Sequence, residues 1–325
     1  MHAPGDFDEI NSTSKTLVMT VAVGLLVAVG SADAKYRVGL SEQNPALFSS
    51  PLWQDLHLKR ARYVVAWDWN ITGQEREVAV FMDAARAKRQ AVLVTFSAHR
   101  GCFDGRRYSR ARVCRPPSAR AYRRAVRAFD DRYPWVRTYS AWNEVNHISQ
   151  PTFDRPRLAV RYYRVLLRES RRRHFRAMAA DVLDTSNMRA YLRAFRRRAP
   201  GRPRLWGLHN YQDVNRRTSA DTRAMLRSVP GAVWLTETGG IVKFGNSPQF
   251  EYSLQRAANR TRWMFRLAGR YDTRRRGMRS KIARLFVYEW FGRARGARLD
   301  AGLVNPDGSA RPAFSVFRRF ARRRR

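Results

Sequence analysis

Tyr139-Ser-Ala-Trp-Asn-Glu-Val-Asn-His147 opens as a short apolar, β-prone run and ends, with no Gly or Pro, in a carboxylate, two amides and an imidazole. A buried strand ordinarily finishes in a turn signal, so polar groups packed this closely mark the mouth of a site, with Glu144 foremost. Ala232-Val-Trp-Leu-Thr-Glu-Thr-Gly-Gly240 has the same form, an apolar run ending at Glu237 before two glycines where the chain must turn sharply. The two glutamates are 93 residues apart, three units of 31, and a strand, a helix and two loops fit in about 30 residues. In a (β/α)8 barrel the fourth and seventh strands would then deliver both carboxylates to one face.

Outward from these two stretches, strand-like and helix-like runs alternate. Strands are expected at 36–40, 62–69, 91–96, 175–180, 204–209 and 283–290, besides the two that carry Glu144 and Glu237. Helices are expected at 51–59, 74–89, 118–131, 158–173, 188–198, 254–268 and 312–322. This alternation predicts an α/β fold, a single-domain (β/α)8 TIM barrel with its chemistry at the C-terminal ends of the strands. A hydrophobic fraction of 44% supports a sizeable core, and no Gly/Ser- or Pro-rich linker divides the chain.

Residues 1–34 stand apart. Thr16 to Gly30 is an apolar run behind Lys15, followed by Ser31-Ala-Asp-Ala34, which has the small-x-small form of a signal-peptidase site. The run is shorter than the roughly 20 residues of a comfortable membrane span. A cleaved signal peptide is the first reading and an uncleaved anchor the second, because Asp6, Asp8 and Glu9 make the leader's start acidic. Residues 35–325 then form the catalytic domain, with a short basic tail.

The formal net charge is +38, and of 64 basic residues only six are lysine. The arginines fill the outward side of helical periods, as in Arg120-Ala-Tyr-Arg-Arg-Ala-Val-Arg127. Solvated helix faces account for them; adhesion to polyanions at a cell surface is the alternative. No nucleic-acid-binding module accompanies the charge, so no specific nucleic-acid partner is expected, and the chain is expected to be a monomer.

The strand ends collect Trp67, Asp68 and Trp69, then His99, Asp181, His209, Asn210 and Tyr211, and finally Glu289 and Trp290. Two carboxylates among aromatic and amide groups suit glycoside hydrolysis: an acid for the leaving oxygen, a nucleophile or base opposite, and faces on which sugars stack. No metal-ligand spacing, phosphate-binding glycine loop or nucleophilic serine motif competes, so no cofactor is expected. Among Trp67, Trp69, Trp142 and Trp206 at least one sugar platform is expected, whereas Trp53 and Trp263 sit at helical spacing and read as core. His99 and Asp68 suit either ligand contact or structural hydrogen bonding, and Glu289 suits pairing with an arginine. Cys102 and Cys114 share the loop after the third strand; in an exported chain they read as a disulfide closing a 13-residue segment at the rim of the cleft.

These residues resemble the clan A retaining glycoside hydrolases, a (β/α)8 superfamily with cellulase-, xylosidase- and β-1,3-glucanase-like members. Trp142-Asn143-Glu144 looks like the clan's Asn-Glu at the end of the fourth strand, and Thr236-Glu237 like its nucleophile on the seventh. His209-Asn-Tyr211 is similar to the segment whose tyrosine hydrogen-bonds that nucleophile, and Trp290 to the tryptophan flooring the subsite of the cleaved sugar. The resemblance implies that Glu144 is the acid/base, Glu237 the nucleophile and Asn143 a contact to the sugar 2-hydroxyl. It further implies double displacement on an oligo- or polysaccharide, with the pKa of Glu144 raised by a less polar setting. Several clan members place an arginine near the end of the second strand, beside the nucleophile. Here that strand ends in Trp67-Asp68-Trp69 with Arg62 at its other end, so Arg100, after the third strand, is expected to replace it. The competing reading is a catalytically inactive barrel that binds glycan or cell wall through its cationic surface.

Overall fold

The computed structural model describes residues 36–323, and the leader expected at 1–34 lies outside them. The parallel strands are β1 (Arg37–Ser41), β2 (Arg60–Ala66), β3 (Ala91–Ser97), β4 (Thr138–Ser140), β5 (Arg176–Met178), β6 (Asp181–Leu183), β7 (Leu205–His209), β8 (Gly231–Thr238) and β10 (Ser280–Val287). They form one sheet in the order β5-β4-β3-β2-β1-β10-β8-β7-β6. The fifth stave is split: β5 lies within the expected 175–180 and is bonded to β4, whereas β6 lies just beyond that range and is bonded to β7. Ala179 N donates to Leu205 O (3.0 Å) and Gly207 N to Ala180 O (2.8 Å), which joins the sheet's two edges into a barrel of eight staves. A two-stranded antiparallel ribbon, β9 (Lys243–Phe244) with β11 (Leu299–Asp300), stands apart from the barrel sheet.

The helices are α1 (Pro51–Gln54), α2 (Glu75–Ala87), α3 (Ala119–Arg132), α4 (Pro156–Arg173), α5 (Met188–Arg196), α6 (Tyr211–Arg216), α7 (Ala220–Ser228), α8 (Leu254–Arg270) and α9 (Pro312–Ala321). Their sequences explain them locally. At the start of α3, Ser118 Oγ accepts from Ala121 N at 3.1 Å, satisfying one of the donors a helix start leaves open. Tyr122, Ala125, Val126 and Phe129 then face the core while Arg123 and Arg124 face solvent. α6 and α7 had no counterpart among the expected helices; α6 is too short to show a period. Among the described residues no helix is long and apolar enough to cross a membrane.

The barrel interior is layered. Leu93, Met178, Leu205, Trp234 and Phe286 form an apolar plug. Above it, toward the strand C-termini, lie Arg62, Asp181, Thr236 and His209, all without exposed surface. Gly207 leaves the space into which Asp181 Oδ1 projects, and a Cβ there would collide with it.

Candidate active site

Glu237 stands near the end of β8, and His209, the last residue of β7, pairs with it in register across a β-irregularity. Glu144 lies beyond β4, which already ends at Ser140. Backbone bonds on either side staple it to neighbouring staves: Asn143 N donates to Phe96 O (2.8 Å) and Val145 N to Asp181 O (2.9 Å). Between them Glu144 adopts φ 41°, a left-handed conformation that β-carbon sterics disfavour. That turn replaces the continuous strand expected through Glu144.

Oxygens of Glu144 and Glu237 and a ring nitrogen of His209 all lie within 4.8 Å of one another. Tyr211 Oη donates to Glu237 Oε1 at 3.0 Å, and Arg62 Nη1 to Glu237 Oε2 at 2.9 Å. His209 Nδ1 meets Glu144 Oε1 at 3.0 Å, while His147 Nδ1 is 3.5 Å from Glu144 Oε2. Three acidic or imidazole side chains this close could receive a metal ion, but Arg62 and His209 already supply the cations that satisfy both carboxylates.

Arg62 is where the structure departs most from the sequence reading. β2 begins two residues earlier than expected, at Arg60, and Arg62 is level with Ser41, the last residue of β1. From inside the barrel its guanidinium reaches Ser41 Oγ (3.0 Å), Asn143 Oδ1 (2.6 Å), Asp181 Oδ2 (3.2 Å) and Glu237. The arginine beside Glu237 is therefore Arg62. Arg100, the expected substitute, pairs with Glu77 of α2 (2.5 and 2.8 Å). The missed signal was an arginine at the third position of β2, between the buried Ala61 and Tyr63.

Asp181 lies beneath the glutamates with no exposed surface, held by Arg62, by His209 Nε2 (3.4 Å) and by the hydroxyl of Thr236. Burial alone would raise its pKa, but the charges of His209 and Arg62 hold it down, at about 2. Burial likewise opposes a charged His209, yet the carboxylates of Glu237 and Asp181 raise that imidazole to about 10, so it is a cation at neutral pH. Arg62 Nη2 also comes within 3.2 Å of His209 Nε2, and Asp181 contacts both side chains. For Glu144, burial favours the neutral acid, but the bond and charge of His209 prevail and the pKa is lowered. This reverses the expected upward shift, because Glu144 faces an imidazolium rather than an apolar wall. Burial and the nearby Glu237 raise Tyr211 well above its ordinary value, which keeps its hydroxyl a donor.

The tryptophans also differ from expectation. Trp142 has no exposed surface: it stacks on Tyr162 (4.6 Å, 19°) and its indole nitrogen donates to Gln150. β10 ends at Val287, three residues short of the expected strand, so Trp290 falls beyond it and packs edge-on against Trp53 and Phe314. With no exposed face, Trp290 floors no subsite. Trp69 and Trp206 are buried too, leaving Trp67 as the half-buried member of the expected platforms. Asp68 and His99 hydrogen-bond each other at 2.7 Å. Trp67, Asp68 and His99 all lie outside the lining of the cavity that holds the glutamates.

That cavity, about 470 Å³, has a polar side formed by His147, Asp184, Gln212 and Arg216 and an apolar side formed by Ile241, Phe244, Phe250 and Leu299. Glu289 is turned away from it and pairs with Arg293 at 2.6 Å, as expected; burial holds its carboxyl up, at about 7, against that arginine. Cys102 and Cys114 are disulfide-bonded. Their loop reaches the site through Phe103, whose ring meets His147 edge-on at 6.1 Å. From the far side of the barrel, Arg298 Nη2 donates to Gly105 O at 3.0 Å while its guanidinium lies over Phe244. Gly105 has φ 98°, a conformation that favours glycine, and the end of the Arg298 side chain occupies the space beside it. The disulfide loop and the β9–β11 ribbon thus clasp across the mouth.

No family model matches the sequence, and no curated protein matches it. Solved structures do match the fold. A family 39 glycoside hydrolase from Bacteroides cellulosilyticus superposes with a TM-score of 0.57 at 13% identity, over 89% of this chain and 64% of its own. A GH5_18 protein from Streptomyces cattleya, in complex with GlcNAc, gives 0.61 at 15% identity, over 89% and 80%. An endo-β-1,4-glucanase from Xanthomonas axonopodis pv. citri gives 0.57 at 14%, over 89% and 99%. The chain thus spans about two thirds of the first of these proteins and nearly all of the third. The fold is the (β/α)8 barrel of these glycoside hydrolases, which belong to clan A.

Proposed function

We propose that the chain is an exported retaining glycoside hydrolase that cleaves O-glycosidic bonds in an oligo- or polysaccharide. The observation that carries this reading is the approach of the Glu144 and Glu237 oxygens to within 4.8 Å in the cavity at the strand C-termini. Retaining pairs stand about 5 to 5.5 Å apart, whereas inverting pairs leave room for a water at about 6.5 to 9.5 Å. Tyr211 and Arg62 each donate a hydrogen bond to one oxygen of Glu237, which orients the group, and one of its oxygens attacks the anomeric carbon. The glycosidic C–O bond breaks as Glu144 protonates the leaving oxygen. Water then attacks the glycosyl-enzyme, giving its proton to Glu144 and releasing Glu237. Asn143, whose amide oxygen is held by Arg62, has its NH2 to offer a sugar hydroxyl. Export through residues 1–34 is supported by the Cys102–Cys114 bond, since disulfides persist in oxidising compartments.

The test is turnover of aryl β-glycosides and polysaccharides by the chain from Lys35 onward. Glu237→Gln is expected to lose activity by roughly 10³-fold or more. Glu144→Ala is expected to spare substrates with good leaving groups, and equal loss on all substrates would remove its acid role. Because Glu144 is held low by His209, kcat/KM is expected to climb as pH falls, its alkaline limb reporting Glu144. Silence on every substrate, with glycan binding unchanged in Glu237→Gln, would favour the non-catalytic glycan-binding barrel.

A further inference from the structure

The opposite mouth of the barrel carries a charge pattern that glycoside cleavage does not use. At none of the eight staves does the first residue, or any of the three before it, carry an acid. Arg37, Arg284 and Trp234 stand side by side in register on β1, β10 and β8. The guanidinium of Arg284 lies 3.9 Å from the centre of the buried Trp234 ring, and that of Arg176, from β5, lies 5.5 Å from the same centre. Arg60, the first residue of β2, is only partly exposed, and its Nη1 is buried without a hydrogen-bond partner. Among the described residues no ion pair involves Arg60, Arg176 or Arg284. This differs from the outer helices, where Arg127 and Arg173 reach Glu169 and Asp130.

We infer that the N-terminal mouth of the barrel is a binding site for a phosphate-type oxyanion, held by Arg60, Arg176 and Arg284 over Trp234, with Arg37 at its edge. Guanidinium forks match tetrahedral oxyanions through paired N–H bonds. Arg60 and Arg284 are half-buried and Arg176 is exposed beside them; cations brought together in this way repel one another, and an anion among them relieves that repulsion. In keeping with this, burial and the neighbouring charges of Arg60, Arg176 and Arg37 hold Arg284 down, at about 10. The N-terminal end of such a barrel ordinarily serves stability, with the chemistry at the other end. Arg60, Arg176 and Arg284, which form no ion pair among the described residues, converge there at a cost to stability and suit a ligand.

The experiment is thermal unfolding of the full chain with inorganic phosphate, or tripolyphosphate, against sodium chloride at matched ionic strength. Tm is expected to rise with phosphate beyond the chloride control. In Arg60→Met/Arg284→Met the apparent affinity is expected to fall about tenfold or more, while Arg223→Met, on the outer face of α7, retains it. Tripolyphosphate binding much more tightly than phosphate would identify a polyphosphate chain spanning several arginines; equal binding would identify a single free oxyanion. An identical phosphate response in wild type and double variant overturns the site. A second reading needs no ligand: in chloride the double variant is expected to be at least as stable as wild type, because like-charge repulsion is removed. Marked destabilisation would make these arginines structural supports of Trp234 and overturn the proposal. Neither outcome bears on the two glutamates.

Discussion

Arg62 and Arg123 are the same residue type in two different media. Arg123 projects from the solvent face of α3, where water and salt screen it. Arg62 has no exposed surface and touches Asp181, Glu237, Asn143 and Ser41. In the low dielectric of the barrel one charge organises the site, and burial does not prevent the pKa of Arg62 from being raised, because Asp181 and Glu237 outweigh it. On the surface dozens of arginines contribute mainly to net charge and solubility. The comparison teaches that the composition of this chain says little about which arginine matters.

The largest expected effect breaks the buried side of that contrast. Arg62→Met leaves Asp181 buried beside His209 without its second cation and is expected to cost about 3 to 5 kcal/mol, read as a fall in denaturant midpoint. A cost under about 1 kcal/mol would mean that His209 alone balances the layer. Next, Cys102→Ser with Cys114→Ser opens the rim loop and is expected to cost up to about 3 kcal/mol on loop entropy, with faster proteolysis between Arg106 and Arg112.

A subtler probe is pH. His209 is raised from an ordinary 6.5 to about 10, so its contribution to stability is complete below pH 6.5 and is lost as pH rises through 10. Asp181 is lowered from 3.8 to about 2, so its contribution is complete above 3.8 and is lost as pH falls through 2. Stability owed to this pair should therefore plateau between those ordinary values, and His209→Gln should flatten the alkaline decline. An unchanged alkaline slope in that variant would assign the titration elsewhere. The smallest effect lies on the surface: Arg123→Ala is expected to change stability by no more than about 0.5 kcal/mol, measured in the same denaturant series.

The two glutamates and the stave order were legible because they rest on local signals: apolar runs of strand length, a polar cluster at each end, and a spacing that suits three βα units. Tyr211 and His209 followed from adjacency to a strand end. Residues whose role depends on strand boundaries were not legible. β2 starts two residues early and brings Arg62 under Glu237; β10 stops three residues early and turns Trp290 into the core. Asp181 was visible as a strand-end acid, but its place beneath both glutamates arises where β5 gives way to β6.

By itself, then, the sequence determined the alternation that closes into a barrel and the placing of Glu144 and Glu237 at one mouth, since both follow from periodicity along the chain. Only the tertiary structure decided which charges are buried together, which tryptophans lose their exposed faces, and the downward direction of the Glu144 shift. Those outcomes depend on stagger between neighbouring strands and on the reach of long side chains. Both bring together residues far apart in the chain, such as Arg62 and Glu237, and periodicity along the chain carries no record of either.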